Sequence, residues 1–139
     1  MLTDADGVPL VVQTTPANVP DQDQLESLLD ALPAVKKPLG RPRRKPDAIL
    51  GDRAYGTARE IAMVESRGIA SFLAERSSQT HGSGLGTLRY VVERTLACFG
   101  QLRRLRACYE RKGEHFQSFH DLAASWLTYT RIRSSILRF

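Results

Sequence analysis

The sequence predicts an α/β fold in which a mixed β-sheet carries helices on its faces. Three observations lead to this class. A β-hairpin pattern opens the chain, and two short apolar segments follow it with a helical pattern between them, as in a parallel βαβ unit. Two longer segments near the C-terminus repeat apolar residues at helical spacing. The chain of 139 residues has the length of one domain, and we expect residues 1–139 to form one.

The N-terminal part of the chain supplies the hairpin and the first helix. The residues before the turn at 5–7 read as the end of a strand, and a second strand is predicted over Val8–Thr14. Asp21 or Asp23 can cap a helix whose leucines share one face and which ends at Pro33. Because so little strand precedes the turn, we expect the domain to be truncated at its N-terminus.

A basic loop and a βαβ pattern follow. Residues 36–46 are interrupted by prolines and are predicted to form a loop inserted before the next strand. Asp47–Leu50 is short and apolar, as a buried strand would be. Thr57–Arg67 has helical spacing and is followed by Gly68, a residue typical of helix C-termini. Ile69–Ala74 then predicts a second strand parallel to the first.

Two helices are predicted in the C-terminal half, after a glycine- and serine-rich loop over Glu75–Gly86. The first runs from about Thr87 to Arg104, and the second covers roughly Glu114–Leu137. The apolar face of the first helix consists of Leu88, Val91, Val92, Thr95, Leu96, Phe99 and Leu102. The predicted buried stripe of the second consists of Phe116, Phe119, Leu122, Ala123, Trp126 and Leu127.

The charge distribution predicts a polyanionic partner. The formal net charge is +5 and the isoelectric point is near 9.6. Most of the 20 lysines and arginines fall in two segments, the basic loop and the long helix with the residues that follow it. Nucleic acid is the expected partner, although a solvated linker is an alternative interpretation of the basic loop.

The cysteines and the hydropathy indicate a protein of the cytoplasm. Cys98 and Cys108 lie ten residues apart on or near one helix, which suits neither a disulfide nor a zinc site, and we expect reduced thiols. The sequence contains neither a signal peptide nor an apolar segment of membrane-spanning length. Cytoplasmic location, with association to the nucleoid, is therefore expected.

Two carboxylates have positions that suit a metal site. Asp52 directly follows the predicted strand, and ligand sites of α/β sheets gather at the carboxyl ends of strands, although a turn or cap aspartate is an equally good interpretation. Glu93 shares the polar face of its helix with Arg89, Ala97, Gly100 and Arg104. A surface ion pair of Arg89 with Glu93 is the alternative there. Carboxylate oxygens and phosphates are ligands of Mg²⁺, and two such ions can promote phosphoryl transfer.

Arginines and lysines around these acids are candidates for contacts to the phosphates of DNA. They are Arg41, Arg43, Arg44 and Lys45 in the basic loop, and Arg89, Arg94, Arg103, Arg104 and Arg106 in the long helix and beyond.

Four segments of the chain resemble the C-terminal part of the DDE transposases of bacterial insertion sequences. They read TDADGVPL, TPANVPDQDQLESLLDAL, RPRRKPDAILGDRAYG and HGSGLGTLRYVVERTLACFGQLRRLRACYER. The resemblance implies a partial catalytic domain of RNase H-like fold, in which three acids bind two Mg²⁺ or Mn²⁺ ions. Asp52 matches the family's second aspartate and Glu93 its final glutamate. Arg89 fits the arginine–x3–glutamate spacing of the family.

The sequence departs from the family pattern in two respects. Gly86 and Gly100 stand where many relatives have a tyrosine and a lysine, which indicates a subgroup that uses the arginines of residues 103–106 instead. The family's first aspartate lies on a central strand that would precede Met1. Asp4 lies at the end of a strand beside the hairpin turn, and Asp6, Asp21 and Asp23 have the pattern of turn or cap residues. We therefore expect the chain to lack the first catalytic carboxylate, its central strand and the N-terminal DNA-recognition domain.

The resemblance implies a transposase, which hydrolyses phosphodiesters at the ends of its element and joins the freed 3′-hydroxyls to target DNA. We expect this chain to be a truncated and catalytically incomplete form. Two alternatives stay open: a non-enzymatic DNA-binding or regulatory remnant, and a decaying gene product that does not fold stably. The expected partners are the DNA of the element ends and of the target, with a second copy of the chain as an open alternative and without a membrane.

Overall fold

The computed structural model of the protein describes residues 1–36, 39–73 and 86–136, without the side chains of residues 86–89 and 135. The chain divides into two units. We call them the hairpin unit, Met1–Pro16 with Tyr90–Phe139, and the βαβ unit, Ala17–Arg89. The prediction of one domain over residues 1–139 stays a prediction.

The helices and strands follow the predicted order. In chain order they are β1 (Leu2–Thr3), β2 (Pro9–Val11), α1 (Leu25–Asp30), β3 (Ala48–Gly51), α2 (Ala58–Ser66), β4 (Ala70–Leu73), α3 (Gly86–Gln101), α4 (Arg103–Arg106) and α5 (Gly113–Ile136). Two short 3-10 turns, Asp21–Gln24 and Arg53–Tyr55, precede α1 and α2. The loop predicted over Glu75–Gly86 lies almost entirely outside the described residues.

The hairpin of β1 and β2 is confirmed, and its turn is built by one aspartate and one glycine. The strands are antiparallel. Asp4 Oδ1 accepts hydrogen bonds from the amides of Asp6, at 3.0 Å, and Val8, at 2.8 Å. Gly7 has a φ of +83°, in the region that only glycine adopts without strain. Asp4 therefore lies at the end of the first strand beside the turn, as predicted.

Long-range hydrogen bonds of Thr95 and Gln117 attach the hairpin to the C-terminal helices. Thr95 of α3 is fully buried, and its hydroxyl donates to the carbonyl of Gly7 at 2.8 Å. Gln117 of α5 donates to the carbonyl of Val12 at 2.8 Å and accepts from the amide of Thr14 at 2.7 Å. Because each contact satisfies a buried or half-buried backbone group, each one fixes the hairpin against a helix.

The βαβ unit is a parallel strand pair with a crossover helix, as predicted. β3 and β4 pair in register from Ala48 opposite Ala70 to Gly51 opposite Leu73. Gly68 follows α2 with a φ of +68° and is the predicted C-terminal glycine. The buried apolar residues of this unit are Leu25, Leu28, Leu29, Ile49, Val64, Ile69 and Leu73.

The α/β class with antiparallel and parallel pairing is therefore confirmed. The strands of the described residues form two separate two-stranded ladders, one in each unit. The RNase H-like mixed sheet and the missing central strand stay predictions.

Three local predictions were wrong. Neither Asp21 nor Asp23 caps α1, because both lie inside the 3-10 turn that precedes the helix. The long helix does not reach Arg104: α3 ends at Gln101, and Leu102 is extended, with a ψ of 118°. The glycine at position 100 weakens the last turn of α3, which favours an end at this point.

The third wrong prediction concerns apolar residues assigned to buried faces. Leu122 and Trp126 of α5 are 66% and 59% exposed, and Leu96 of α3 is 51% exposed. Helical spacing places these residues on one face, but neighbours from elsewhere in the chain cover only part of that face. Trp126 instead contacts the ring of Tyr129 one turn further along α5.

We expect Gly7→Ala to destabilise the protein by at least about 1 kcal/mol, because the left-handed backbone disfavours any side chain. The added Cβ would also lie 2.9 Å from Thr95 Oγ1 and from Val91 Cγ1. Gly100→Ala is the control, since nothing lies within 4 Å of its added Cβ and alanine favours a helix. Urea unfolding measures both variants. Equal stabilities would contradict the role assigned to Gly7.

Candidate functional site

Asp52 lies at the carboxyl end of β3, where its strand ends and the chain turns outward. Its Oδ1 accepts a hydrogen bond from the amide of Ala54 at 2.9 Å, which caps the 3-10 turn Arg53–Tyr55. The side chain is half-exposed, and within the described part of the chain no hydrogen bond to Oδ2 is found. The cap interpretation is therefore right for one oxygen, while the second is available to a ligand.

The backbone before Asp52 is held by close packing between the two parallel strands. A Cβ at Gly51 would lie 2.6 Å from Cδ2 of Leu73 and 3.6 Å from Tyr55. Leu73 is buried, so its side chain has little room to move away. A residue without a side chain is therefore needed at position 51, which fixes the point from which the Asp52 carboxylate projects.

Tyr55 is a member of this site that the sequence analysis missed. Burial raises the pKa of its hydroxyl above the ordinary value of 10.0, and the negative charges of Asp21 and then Asp52 raise it further. Both carboxylates therefore act on one hydroxyl. No motif predicts this cluster, because Asp21 belongs to the 3-10 turn before α1 and is brought to Tyr55 only by packing.

Glu60 is a second residue that the sequence analysis missed. It lies in the first turn of α2 and is only 6% exposed, and its Oε2 has no hydrogen-bond partner among the described residues. The sequence from Thr57 to Glu60 matches a capping box, which could have drawn attention to it. Thr57, however, makes no side-chain cap hydrogen bond.

Glu93 is exposed on α3, in the turn that also presents Thr95 to the hairpin. Ala97 and Gly100 are exposed as well, as the predicted polar face requires. The side chain of Arg89 lies outside the described residues, so the Arg89–Glu93 pair and the phosphate contact of Arg89 stay predictions. Asp52 belongs to the βαβ unit and Glu93 to the hairpin unit, and their joint metal site stays a prediction.

In the part of the chain that the structure describes, no cluster of three histidine, cysteine, aspartate or glutamate side chains with the geometry of a metal site is found. The available oxygen of Asp52, a hard ligand at a strand end, fits a Mg²⁺ or Mn²⁺ ion as one ligand of a set.

The basic loop divides into cations with structural partners and cations that are exposed. Arg43 forms an ion pair with Asp47, and Lys45 donates to the carbonyls of Arg67, at 3.1 Å, and Gly68, at 3.3 Å, at the C-terminus of α2. Arg41 and Arg44 are exposed, and no partner of either is found among the described residues. Arg41 and Arg44 have the exposure that the predicted phosphate contacts require, and the contacts themselves stay predictions.

The arginines of α4 also divide into one with structural partners and two for which no partner is found among the described residues. Arg104 donates to Glu110 at 2.6 Å, and its guanidinium lies 5.2 Å from the centre of the Phe119 ring. Arg103 and Arg106 are exposed, with no partner found in the described part of the chain. Because α3 ends at Gln101, Arg104 does not continue the helical face of Glu93.

Among the described helices, none is long and apolar enough to cross a membrane.

Comparison with known proteins identifies a family and a relative. The family model described as Transposase DDE domain matches residues 1–127 of this chain. A protein of Burkholderia cepacia, "Putative transposase for insertion sequence element IS402", is 38% identical over 133 residues, which make up 96% of this chain and 63% of that protein. The chain thus spans less than two thirds of the length of this relative. No solved structure gives a significant match.

We expect the Tyr55 cluster to affect stability at high pH. Because the pKa of Tyr55 is raised in the folded state, the unfolded chain loses this proton first, and stability falls as pH rises above about 10. Tyr55→Phe should remove this part of the loss, as measured by urea unfolding between pH 9 and pH 11.

The same cluster can be tested by titration. Asp21→Asn and Asp52→Asn should each lower the pKa of Tyr55, followed by ultraviolet absorbance with Tyr55→Phe subtracted. Asp23→Asn is the matched control from the same 3-10 turn and should leave this pKa unchanged. An equal shift in all three variants would contradict the proximity of Asp21 and Asp52 to Tyr55.

Proposed function

This chain belongs to the transposase DDE domain family, and on that premise we propose that it binds DNA as part of an insertion-sequence transposase. The observation that carries the proposal is the family match over residues 1–127, within which Asp52 follows a parallel strand and keeps one oxygen available. In the intact protein the reaction is metal-dependent cleavage of phosphodiesters at the element ends, followed by strand transfer to target DNA.

In this proposal Asp52 and Glu93 are metal ligands. The amide of Ala54 holds one oxygen of Asp52 and so orients the carboxylate, and the other oxygen would bind the metal. Mg²⁺ or Mn²⁺, when bound in a two-metal site, would activate the attacking oxygen and stabilise the leaving one. Glu93 would supply a second carboxylate from the exposed face of α3.

Exposed arginines would hold the phosphates of the substrate. Arg41 and Arg44 in the basic loop, and Arg103 and Arg106 on α4, are exposed and can orient toward a DNA backbone. Arg43, Lys45 and Arg104 already have partners, so their part in DNA binding would be mainly to hold the segments that carry the exposed arginines.

We further propose that the 139-residue chain alone binds DNA without joining strands. Asp4 has a structural role, because its Oδ1 accepts hydrogen bonds from two amides of the hairpin turn, and in this proposal it is not the family's first catalytic acid. The exposed arginines favour a DNA-binding remnant as the second candidate function, since DNA binding by these side chains needs no metal. Association with the nucleoid and with a second copy stay predictions.

The first test separates metal binding from DNA binding. Asp52→Asn and Glu93→Gln should each weaken Mn²⁺ binding, measured by calorimetry, while leaving the affinity for duplex DNA intact or raised, because a negative charge is removed near phosphate. The unaltered chain with Mn²⁺ should bind element-end DNA without strand transfer. Strand transfer by the unaltered chain that is lost in Asp52→Ala would contradict the proposal that its catalytic site is incomplete. Unchanged Mn²⁺ affinity in both Asp52→Asn and Glu93→Gln would contradict their assignment as metal ligands.

The second test concerns the arginines of α4. Arg103→Ala combined with Arg106→Ala should lower DNA affinity and reduce the slope of log K against log salt by up to about 1.8, which corresponds to two phosphate contacts. Arg104→Ala is the control from the same helix. It should lower the free energy of unfolding, because Arg104 contacts Glu110 and the Phe119 ring, and it should change the salt slope less than the double variant does. Equal salt slopes for the double variant and the unaltered chain would overturn the assignment.

A further inference from the structure

An open pocket lies within the hairpin unit, between the hairpin turn, α3 and the C-terminal turns of α5. Its volume is about 650 Å³, and its lining includes Asp6, Arg94, Thr130, Arg131 and Ser134. The pocket is formed from segments far apart in the sequence and brought together by the contact of Thr95 with Gly7. Sequence analysis did not single out Arg131.

Two arginines converge on one backbone oxygen in this pocket. Arg94 Nη2 donates to the carbonyl of Asp6 at 3.1 Å, and Arg131 Nη1 donates to the same oxygen. A guanidinium has five N–H donors, so each arginine keeps further donors for a ligand. Arg131 is half-buried, and both side chains are held by the turn, which lowers the entropy lost when a ligand binds.

Among the described residues, no carboxylate forms an ion pair with either arginine of this pair. The carbonyl of Asp6 is neutral, and among the described residues neither Arg94 nor Arg131 forms an ion pair. The carboxylate of Asp6 borders the pocket but is exposed and pairs with neither guanidinium in the described part of the chain. Two cations that share one neutral acceptor repel each other, and an anion between them would relieve that repulsion.

We propose that the pocket of Arg94 and Arg131 binds a phosphate group. Guanidinium groups match the geometry of phosphate oxygens and form strong charge-assisted hydrogen bonds with them. The source of the phosphate is the DNA backbone, and this assignment of source rests on the proposed function. The pocket would position DNA on the hairpin unit through a fixed phosphate contact rather than through a base.

The test places a negative charge in the pocket without removing either arginine. Ser134 is exposed at the pocket and donates to the carbonyl of Thr130, whereas Ser125 is exposed on the same helix and donates to the carbonyl of Asp121. Ser134→Asp and Ser125→Asp therefore change the net charge equally, and each removes one hydrogen bond from a serine hydroxyl to a helix carbonyl. Only position 134 lines the pocket. Circular dichroism of both variants establishes that they are folded.

Binding is measured for inorganic phosphate and for a 20-base-pair duplex of arbitrary sequence, both in EDTA. Ser134→Asp should weaken both by roughly tenfold, the equivalent of one charge-assisted hydrogen bond, and should lower the salt slope for the duplex by about 0.9. Ser125→Asp should change either affinity by less than about threefold. Arg131→Gln removes one guanidinium and should weaken the binding of phosphate and of the duplex as much as Ser134→Asp does.

The outcomes distinguish free phosphate from the DNA backbone as the ligand, and they distinguish failure of the phosphate pocket from failure of the proposed function. Weakening of phosphate binding alone would retain the anion pocket and overturn its assignment to DNA. Equal behaviour of Ser134→Asp and Ser125→Asp with both probes would overturn the pocket itself. Because EDTA removes divalent ions, these measurements do not depend on metal binding. The phosphate site can therefore be confirmed or overturned whatever the metal-dependent tests of the proposed function show.

Discussion

The hydroxyl of Thr95 is fully buried, and it donates to the carbonyl of Gly7, which lies 88 residues earlier in the chain. This contact depends on two conditions that support each other. Gly7 must lack a side chain, because a Cβ would lie 2.9 Å from the hydroxyl, and its φ of +83° must be tolerated. With the turn held in this way, the carbonyl of Asp6 is positioned for Arg94 and Arg131, and α3 acquires a fixed inner face. Glu93 takes its exposed position from that face.

At Asp52 the structure shows a cap role that is compatible with the proposed role as a metal ligand. Sequence analysis left a cap and a metal ligand as equal alternatives. The two oxygens of the carboxylate remove the conflict: one is held by the amide of Ala54, and for the other no hydrogen bond is found among the described residues. A ligand held by its neighbour loses less freedom on binding a cation. The close packing of Gly51 on Leu73 holds the backbone that carries it.

Composition does not distinguish the basic side chains that have structural partners from those for which no partner is found among the described residues. Lys45 satisfies carbonyls at the end of α2, Arg43 pairs with Asp47, and Arg104 lies between Glu110 and an aromatic ring. Arg41, Arg44, Arg103 and Arg106 are exposed, and these are the side chains that a polyanion can reach at low cost. A net charge of +5 therefore predicts the class of partner, whereas the contacts of each cation decide which residues can meet it.

The sequence by itself determined the order of strands and helices, the parallel pairing of β3 and β4, the C-terminal glycine of α2 and the family. These features follow from local periodicity, from glycine at positive φ and from motif spacing. Tertiary structure alone decided that Trp126 is exposed and that Asp21 lies close enough to Tyr55 to affect its pKa. Helical spacing identifies an apolar face but not whether another segment covers it. A cluster of charges depends on packing between segments that no local pattern connects.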